Sequence, residues 1–167
     1  VGRFTFAKNH KFLIDTFKKI SEIRNDAVLM LVGDGELSAE IHSWVNKADL
    51  NGKVIFIGQV SDPEKYYRLA NVMVIPSVFE GLSLSTIESQ ISGVPIVAST
   101  AIPEEAVISD GCVRLELDNP NWVSTIISLE NKKVNLDERS KLYEIGKASK
   151  LLEDRYLEMV REICLKC

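Results

Sequence analysis

Two hydrophobic periods alternate along this chain, and the alternation predicts its elements. Over residues 9–24, Phe12, Leu13, Thr16, Phe17, Ile20 and Ile23 recur three and four positions apart, the spacing of one helix face, with Asn9 placed to cap its start. Ala27 to Val32 is then an unbroken apolar run closed by Gly33-Asp34-Gly35, as expected of a strand buried on both faces of a parallel sheet. A second helix is predicted over 36–49, with Leu37, Ile41, Trp44, Val45 and Ala48 on one side. The rhythm repeats as a strand at 54–57 ending at Gly58 and a short helix from Asp62 to about Ala70, with Asp62 at its cap and Pro63 at its first position. A strand at 72–75 stops at Pro76, a helix at 83–92 ends at Gly93, and strands follow at 95–98 and 113–117. Two or three helices finish the chain, with Leu142, Ile145, Leu152, Tyr156, Met159, Val160 and Ile163 expected in the core and a polar break at 131–137.

Strands separated by helices imply right-handed βαβ crossovers and hence an α/β fold, a Rossmann-like doubly wound parallel sheet. The 167 residues, without repeat, low-complexity tract or interior linker, form a single domain over 1–167. A net charge of -4 argues against nucleic acid as a partner, which would call for a basic surplus. A small anion is a different matter, because two or three placed cations hold a phosphate. Cys112, Cys164 and Cys167 are too few and too terminal for a disulfide framework, and the Cys164/Cys167 pair lacks the second ligand pair that zinc would want. No apolar run nears the ~20 residues that span a bilayer. The opening Val1-Gly2-Arg3-Phe4 reads as the end of a strand and the loop after it, so a fragment of a longer chain is expected.

In open sheets of this kind, ligands bind beyond the carboxyl ends of the strands. Five segments are predicted to meet there: Gly2-Arg3, Gly33-Asp34-Gly35, Gly58-Gln59-Val60, Ser77 to Gly81, and Ser99-Thr100. Glycine recurs in them, which allows close approach of backbone or ligand. The richest is Glu80-Gly81-Leu82-Ser83-Leu84-Ser85-Thr86-Ile87-Glu88. Its two carboxylates lie on the order of 12 Å apart along a mostly helical path. That is too far for a paired acid and base at one bond, and it suits hydroxyls at the two ends of an extended ligand. Between them the backbone N–H groups of Gly81, Leu82 and Ser83 open a helix, a place that favours an anion. The competing reading is that Glu80 complements the helix dipole and Glu88 is a surface residue. Arg3 and Lys8 flank the loop into the first helix and could reach phosphate oxygens, Arg by its planar fork and Lys as a point charge. His10 is expected to be solvated or capping, and His42 exposed on a helix.

The run Val-Gly-Arg-Phe with Lys8-Asn9-His10, then Leu31 to Leu37, Val54 to Gly58, and Pro76-Ser77-x-x-Glu80-Gly81-Leu82 through Glu88, resembles the C-terminal donor-binding domain of family 4 retaining glycosyltransferases of the GT-B fold. The match runs in order over about residues 1–117. It implies that Arg3 and Lys8 contact the donor diphosphate, that Glu80 contacts hydroxyls of the transferred sugar, and that Glu88 holds the ribose. It also implies that Gly2, Gly33, Gly81, Leu82 and Ser83 lie against the donor and that Gln59 and Val60 lie near its base. The usual Glu-Gly-(Phe/Leu)-(Gly/Pro) becomes Glu-Gly-Leu-Ser here, which bears on sugar specificity. The donor is expected to be a nucleoside-diphosphate sugar, a UDP-sugar above all, used in capsular or exopolysaccharide synthesis. No metal and no other cofactor is expected, there being no Asp-x-Asp element. An N-terminal acceptor domain would be the missing partner, and without it the fragment is expected to be inactive alone. A cytoplasmic location is expected, with peripheral attachment of the full enzyme to the membrane. Two alternatives stand beside this reading: a sugar-nucleotide epimerase, against which the scarcity of histidine counts, and a non-catalytic nucleotide-binding module. A dinucleotide oxidoreductase is disfavoured, since no G-x-G-x-x-G follows a strand.

Overall fold

The computed structural model describes residues 1–130 and 132–143. Five strands run parallel: β1 (Leu29–Val32), β2 (Val54–Gly58), β3 (Met73–Ile75), β4 (Ile96–Ser99) and β5 (Cys112–Leu115). Five helices alternate with or follow them: α1 (His10–Ile23), α2 (Ser38–Lys47), α3 (Glu64–Leu69), α4 (Leu84–Ile91) and α5 (Trp122–Leu129). The predicted alternation is therefore present over residues 9–117, with each strand's bounds shifted by one or two residues, and of the expected terminal helices α5 lies within the described residues. The strands form two sheets rather than one, β1 beside β2 and β3-β4-β5.

The period-2 rule explains how β4 holds the layers together. All four of its residues are buried. Val97 packs into a core with Ile14 and Phe17 of α1, Ile41 and Val45 of α2, and Trp122 and Ile126 of α5. Ile96 and Ala98 point the other way, into a second core with Tyr67 of α3, Ile87 of α4 and Ile102, Ala106 and Ile108 of the following loop. Both faces of the strand are thus covered, as a doubly wound sheet requires. Each fully buried Ile contributes about 2–3 kcal/mol relative to exposure.

Some local expectations fail for identifiable reasons. Asn9 precedes α1 but makes no side-chain cap; its backbone is left-handed (φ 52°, ψ 49°) because it also closes the 3-10 turn Phe6–Lys8. Asp62 does not cap α3: Pro63 occupies the N-cap position, and Asp62 instead pairs with Lys65 on the surface. Leu142, expected in the core, is 60% exposed on the 3-10 turn Glu138–Tyr143. The polar break beyond α5 is tied down, since Asp110 accepts from the backbone and side chain of Asn135 (2.9 and 3.0 Å). Ile145, Leu152, Tyr156, Met159, Val160, Ile163, Cys164 and Cys167 lie outside the described residues.

Candidate donor-binding site

Glycine brings the carboxyl ends of β1 and β2 together. The Gly2 N–H donates to the Val32 carbonyl (2.9 Å) and the Gly33 N–H to that of Gly58 (2.8 Å). A Cβ at Gly33 would overlap the Gly2 carbonyl, and one at Gly35 would sit 2.5 Å from the Phe4 carbonyl oxygen. With φ at +135°, Gly33 also has a backbone that other residues rarely adopt. Gln59 and Val60 follow Gly58 directly and so lie at the same edge. The recurrence of glycine there is explained first by chain packing against chain.

The next loop joins this edge by two backbone anchors. The Val78 N–H donates to the Ala7 carbonyl (2.8 Å), tying the loop after β3 to the 3-10 turn that carries Lys8. From the end of β4, the Ser99 hydroxyl donates to the Ser77 carbonyl (2.6 Å). These anchors align Lys8 and Glu80, which are 72 positions apart, so that the Lys8 ammonium donates to the Glu80 carboxylate. The Ser77 hydroxyl donates to the same oxygen, Oε1, at 2.7 Å. Glu80 is largely sequestered, its side chain 11% exposed. Its other oxygen has no hydrogen bond among the described residues.

Glu88 stands on the exposed side of α4 and is fixed differently. The phenol of Tyr67, a buried residue of α3, donates to Glu88 Oε2 (2.9 Å). Burial, and then the neighbouring carboxylate, raise the Tyr67 phenol above its ordinary value, so it stays a donor. α4 itself is locked from behind. The fully buried Gln90 amide donates to the carbonyls of Thr86 and Ala106 (2.9 and 2.7 Å) and accepts from Ile108 N–H and the Ser109 hydroxyl (both 2.9 Å). The first turn of α4 has no side-chain cap, because the buried Ser83 hydroxyl accepts from Thr86 Oγ1 (2.8 Å) instead. Gly81 and Leu82 are exposed at that uncapped start, where an anion meets N–H groups and the helix dipole.

Of the residues singled out from the sequence, Lys8, Glu80, Gly2 and Gly33 are thus joined by direct contacts or shared backbone bonds. Arg3 is exposed beside Gly2, and its guanidinium makes no hydrogen bond or salt bridge among the described residues. The two histidines divide. His42 is exposed as expected and stacks on Phe56 (centroids 3.7 Å apart). His10 is a correction: it is buried against Phe4 (4.7 Å), its Nδ1 has no partner, and burial pushes its pKa down to about 4. The run Phe12, Leu13, Thr16 and Phe17 draws the first turn of α1 inward and takes the His10 ring with it. Tyr67 escaped the sequence reading, and Ser77 entered it only as part of the Ser77 to Gly81 segment, with no role of its own. Ser77 lay within the quoted Pro-Ser-x-x-Glu run and was the one to weigh. Nothing in the spacing of Tyr67 separates it from a core residue.

A two-sided parallel α/β layer with an acid, a cation and an uncapped helix start on its carboxyl edge defines a Rossmann-like ligand-binding domain, of the kind that forms one half of a GT-B enzyme. Residues 1–149 match the family described as glycosyl transferases group 1, and the chain belongs to that family. EpsF of Bacillus subtilis, named as a glycosyltransferase, is 36% identical over 129 residues, covering 75% of this chain and 34% of its own length. The capsular polysaccharide biosynthesis glycosyltransferase CapH of Staphylococcus aureus is 28% identical over 165 residues, 94% of this chain and 46% of CapH. Among solved structures, sucrose-phosphate synthase of Thermosynechococcus elongatus superposes with a TM-score of 0.76 at 23% identity over 98% of this chain and 45% of its own. Anabaena HepE in complex with UDP gives 0.71 at 18% identity, over 96% of this chain and 47% of HepE. The chain spans between a third and a half of the length of these relatives. Among the described residues no helix is long and apolar enough to cross a membrane.

Proposed function

We propose that this chain binds the nucleoside-diphosphate sugar, a UDP-sugar, of a retaining glycosyltransferase that builds a cell-surface polysaccharide. One observation carries the reading: Lys8 and Glu80 converge, with Ser77, just before the uncapped start of α4. A carboxylate with one oxygen held by protein and the other available suits sugar hydroxyls. A cation beside it and the N–H groups of α4 suit the diphosphate. Glu88, one oxygen held by Tyr67, offers the other to the ribose. The names of relatives point the same way. CapH is a capsular polysaccharide enzyme, and an Escherichia coli relative, 25% identical over 173 residues, is a UDP-Gal-dependent galactosyltransferase acting on a diphosphoundecaprenol-linked sugar.

In the transfer, the bond from the anomeric carbon to the diphosphate breaks and one to an acceptor oxygen forms, while the acceptor hydroxyl passes its proton to the leaving diphosphate. Lys8, Arg3 and the α4 amides stabilise the charge that grows on the leaving diphosphate, without a metal ion. The acceptor would be held by the partner domain of the longer enzyme, working at the cytoplasmic face of the membrane.

Calorimetric titration of this chain with UDP, GDP and UDP-sugars tests the reading. Glu88→Ala is expected to weaken all nucleotides alike, whereas Glu80→Ala erases preference among sugars and leaves UDP little changed. If neither substitution alters binding, the proposal fails.

A further inference from the structure

α4 carries two parts of the proposed donor site, its uncapped first turn and Glu88 on its outer side. Apolar packing grips this helix weakly. Leu84 and Ile91 are exposed, at 62% and 50%, and Ile87 is the apolar side chain that α4 buries. The rest of its inner face is Thr86, Ser89 and Gln90, each fully buried. Ser89 donates to the carbonyls of Ser85 and Thr86, and Thr86 donates to the Ser83 hydroxyl, so both stay within the helix and its first turn. Gln90 reaches outside. Both N–H groups and both acceptor sites of its amide are met, and every partner but Thr86 lies within 106–109, in the loop between β4 and β5. Hydrophobic burial has no direction, so Ile87 holds α4 against the sheet without fixing its rotation. Hydrogen bonds fail with small changes of distance and angle, so the Gln90 amide fixes rotation and axial position together.

We propose that Gln90 is a positioning residue of the donor site, setting the rotation of α4 so that Glu88 stays at the ribose; the inference rests on the donor reading above. At about 100° per residue, Gln90 and Glu88 point to nearly opposite sides of the helix. Glu88 meets Tyr67 of α3 on the outer side, while Gln90 meets the 106–109 loop on the inner one. The two sets of bonds define one orientation only together. Loss of the inner set frees α4 to turn about its axis. A turn of ~20° moves backbone atoms, about 2.3 Å from the axis, by about 0.8 Å, and a carboxylate about 5–6 Å out by about 2 Å. The larger displacement breaks a bond such as the 2.9 Å one from Tyr67. The smaller one leaves the N–H groups of the first turn close to their places. Ribose contacts therefore suffer more than diphosphate contacts. An apolar side chain would fill the same space, and what the amide adds is direction, because a fully satisfied buried polar network specifies a single arrangement.

Calorimetry of the full chain with UDP and 2′-deoxy-UDP reads the ribose contact directly. Gln90→Met keeps the length and volume of the side chain and removes every bond of the amide. It is expected to weaken UDP about tenfold and 2′-deoxy-UDP about threefold, which narrows the preference between them. In a Glu88→Ala background the same change is expected to add nothing, because Gln90 acts through Glu88. Ile87→Val loosens the same face of α4 without touching the amide, so it lowers the melting temperature and leaves the preference where it was. Equal losses for both nucleotides in Gln90→Met would overturn the proposal. So would an undiminished effect in the Glu88→Ala background, or the same narrowing in Ile87→Val, since Gln90 would then be structural only. If Gln90→Met does not fold, Ser109→Ala decides. It removes one of the bonds and is expected to narrow the preference about twofold, and an unchanged preference overturns the proposal. A parent chain that does not bind UDP, or binds both nucleotides alike, sinks the donor reading and this inference with it. A parent that prefers UDP, with the preference kept in Gln90→Met, sinks this inference alone.

Discussion

Two neighbouring regions share the turn of Lys8 and differ in how their polar groups are met. At the carboxyl edge, Glu80 is gripped by Lys8 and Ser77, Glu88 by Tyr67, and the loop between β3 and α4 is pinned by Ser99. In the cleft beneath, the buried His10 Nδ1 lacks a partner, and no strand lies between β1 and β3 among the described residues. The edge shows what a binding site needs before its ligand arrives: charges held in place, each carboxylate with an oxygen to spare. Glu88, exposed on α4, can wait for a ligand at little cost. The buried His10 Nδ1 has no such outlet.

The contrast can be broken most forcefully through pH. His10 is held near 4 by burial, with lesser contributions from the Val1 amine and Lys8, against 6.5 when exposed. In the window between these values the unfolded chain binds more protons, so stability is present above 6.5 and is lost as pH falls towards 4. The full loss is roughly 3 kcal/mol. Urea midpoints at pH 7 and pH 4.5 should show most of it in the parent chain and little in His10→Phe; the same slope in both would remove His10 as its source.

Next in size is Lys8→Met, which leaves the sequestered Glu80 with Ser77 alone and is expected to cost about 2 kcal/mol. Adding Glu80→Leu should recover most of that, since neither charge is then orphaned. Thermal denaturation of the single and double variants measures the recovery, and strict additivity would mean that the pair is not coupled. Tyr67→Phe removes the hydrogen bond that orients Glu88 while keeping the ring packed. Nucleotide affinity should fall by about 1 kcal/mol, roughly fivefold. Preference for UDP over 2′-deoxy-UDP should narrow with it, a change that damage to the core alone would not produce. Arg3→Ala has the smallest expected effect on stability, within about 0.5 kcal/mol, as suits an exposed side chain. It should still weaken UDP in calorimetry, and unchanged affinity would remove Arg3 from the diphosphate site.

Much of this was legible in the residues because periodicity is local. The apolar run before Gly33-Asp34-Gly35 and the Glu80 to Glu88 segment report the chain's geometry over a few residues, and β1 and α4 fall there. The predicted caps at Asn9 and Asp62 failed for the complementary reason: a cap depends on how the preceding turn leaves the helix, which composition does not record. His10 looked solvated by type and was buried by the run of hydrophobic residues that follows it.

By itself, then, the sequence determined the order and kind of elements, the glycines that let β1 and β2 end together, and which acids and cations were candidates. Backbone sterics and side-chain period act within a few residues, so they can be read along a line. Tertiary structure decided that Lys8 reaches Glu80 across 72 positions, that Tyr67 rather than solvent meets Glu88, and that a cleft separates two sheets where one was expected. Those outcomes depend on which buried groups remain unpaired once every layer is packed. That sum is taken over the whole molecule, and no window of the chain contains it.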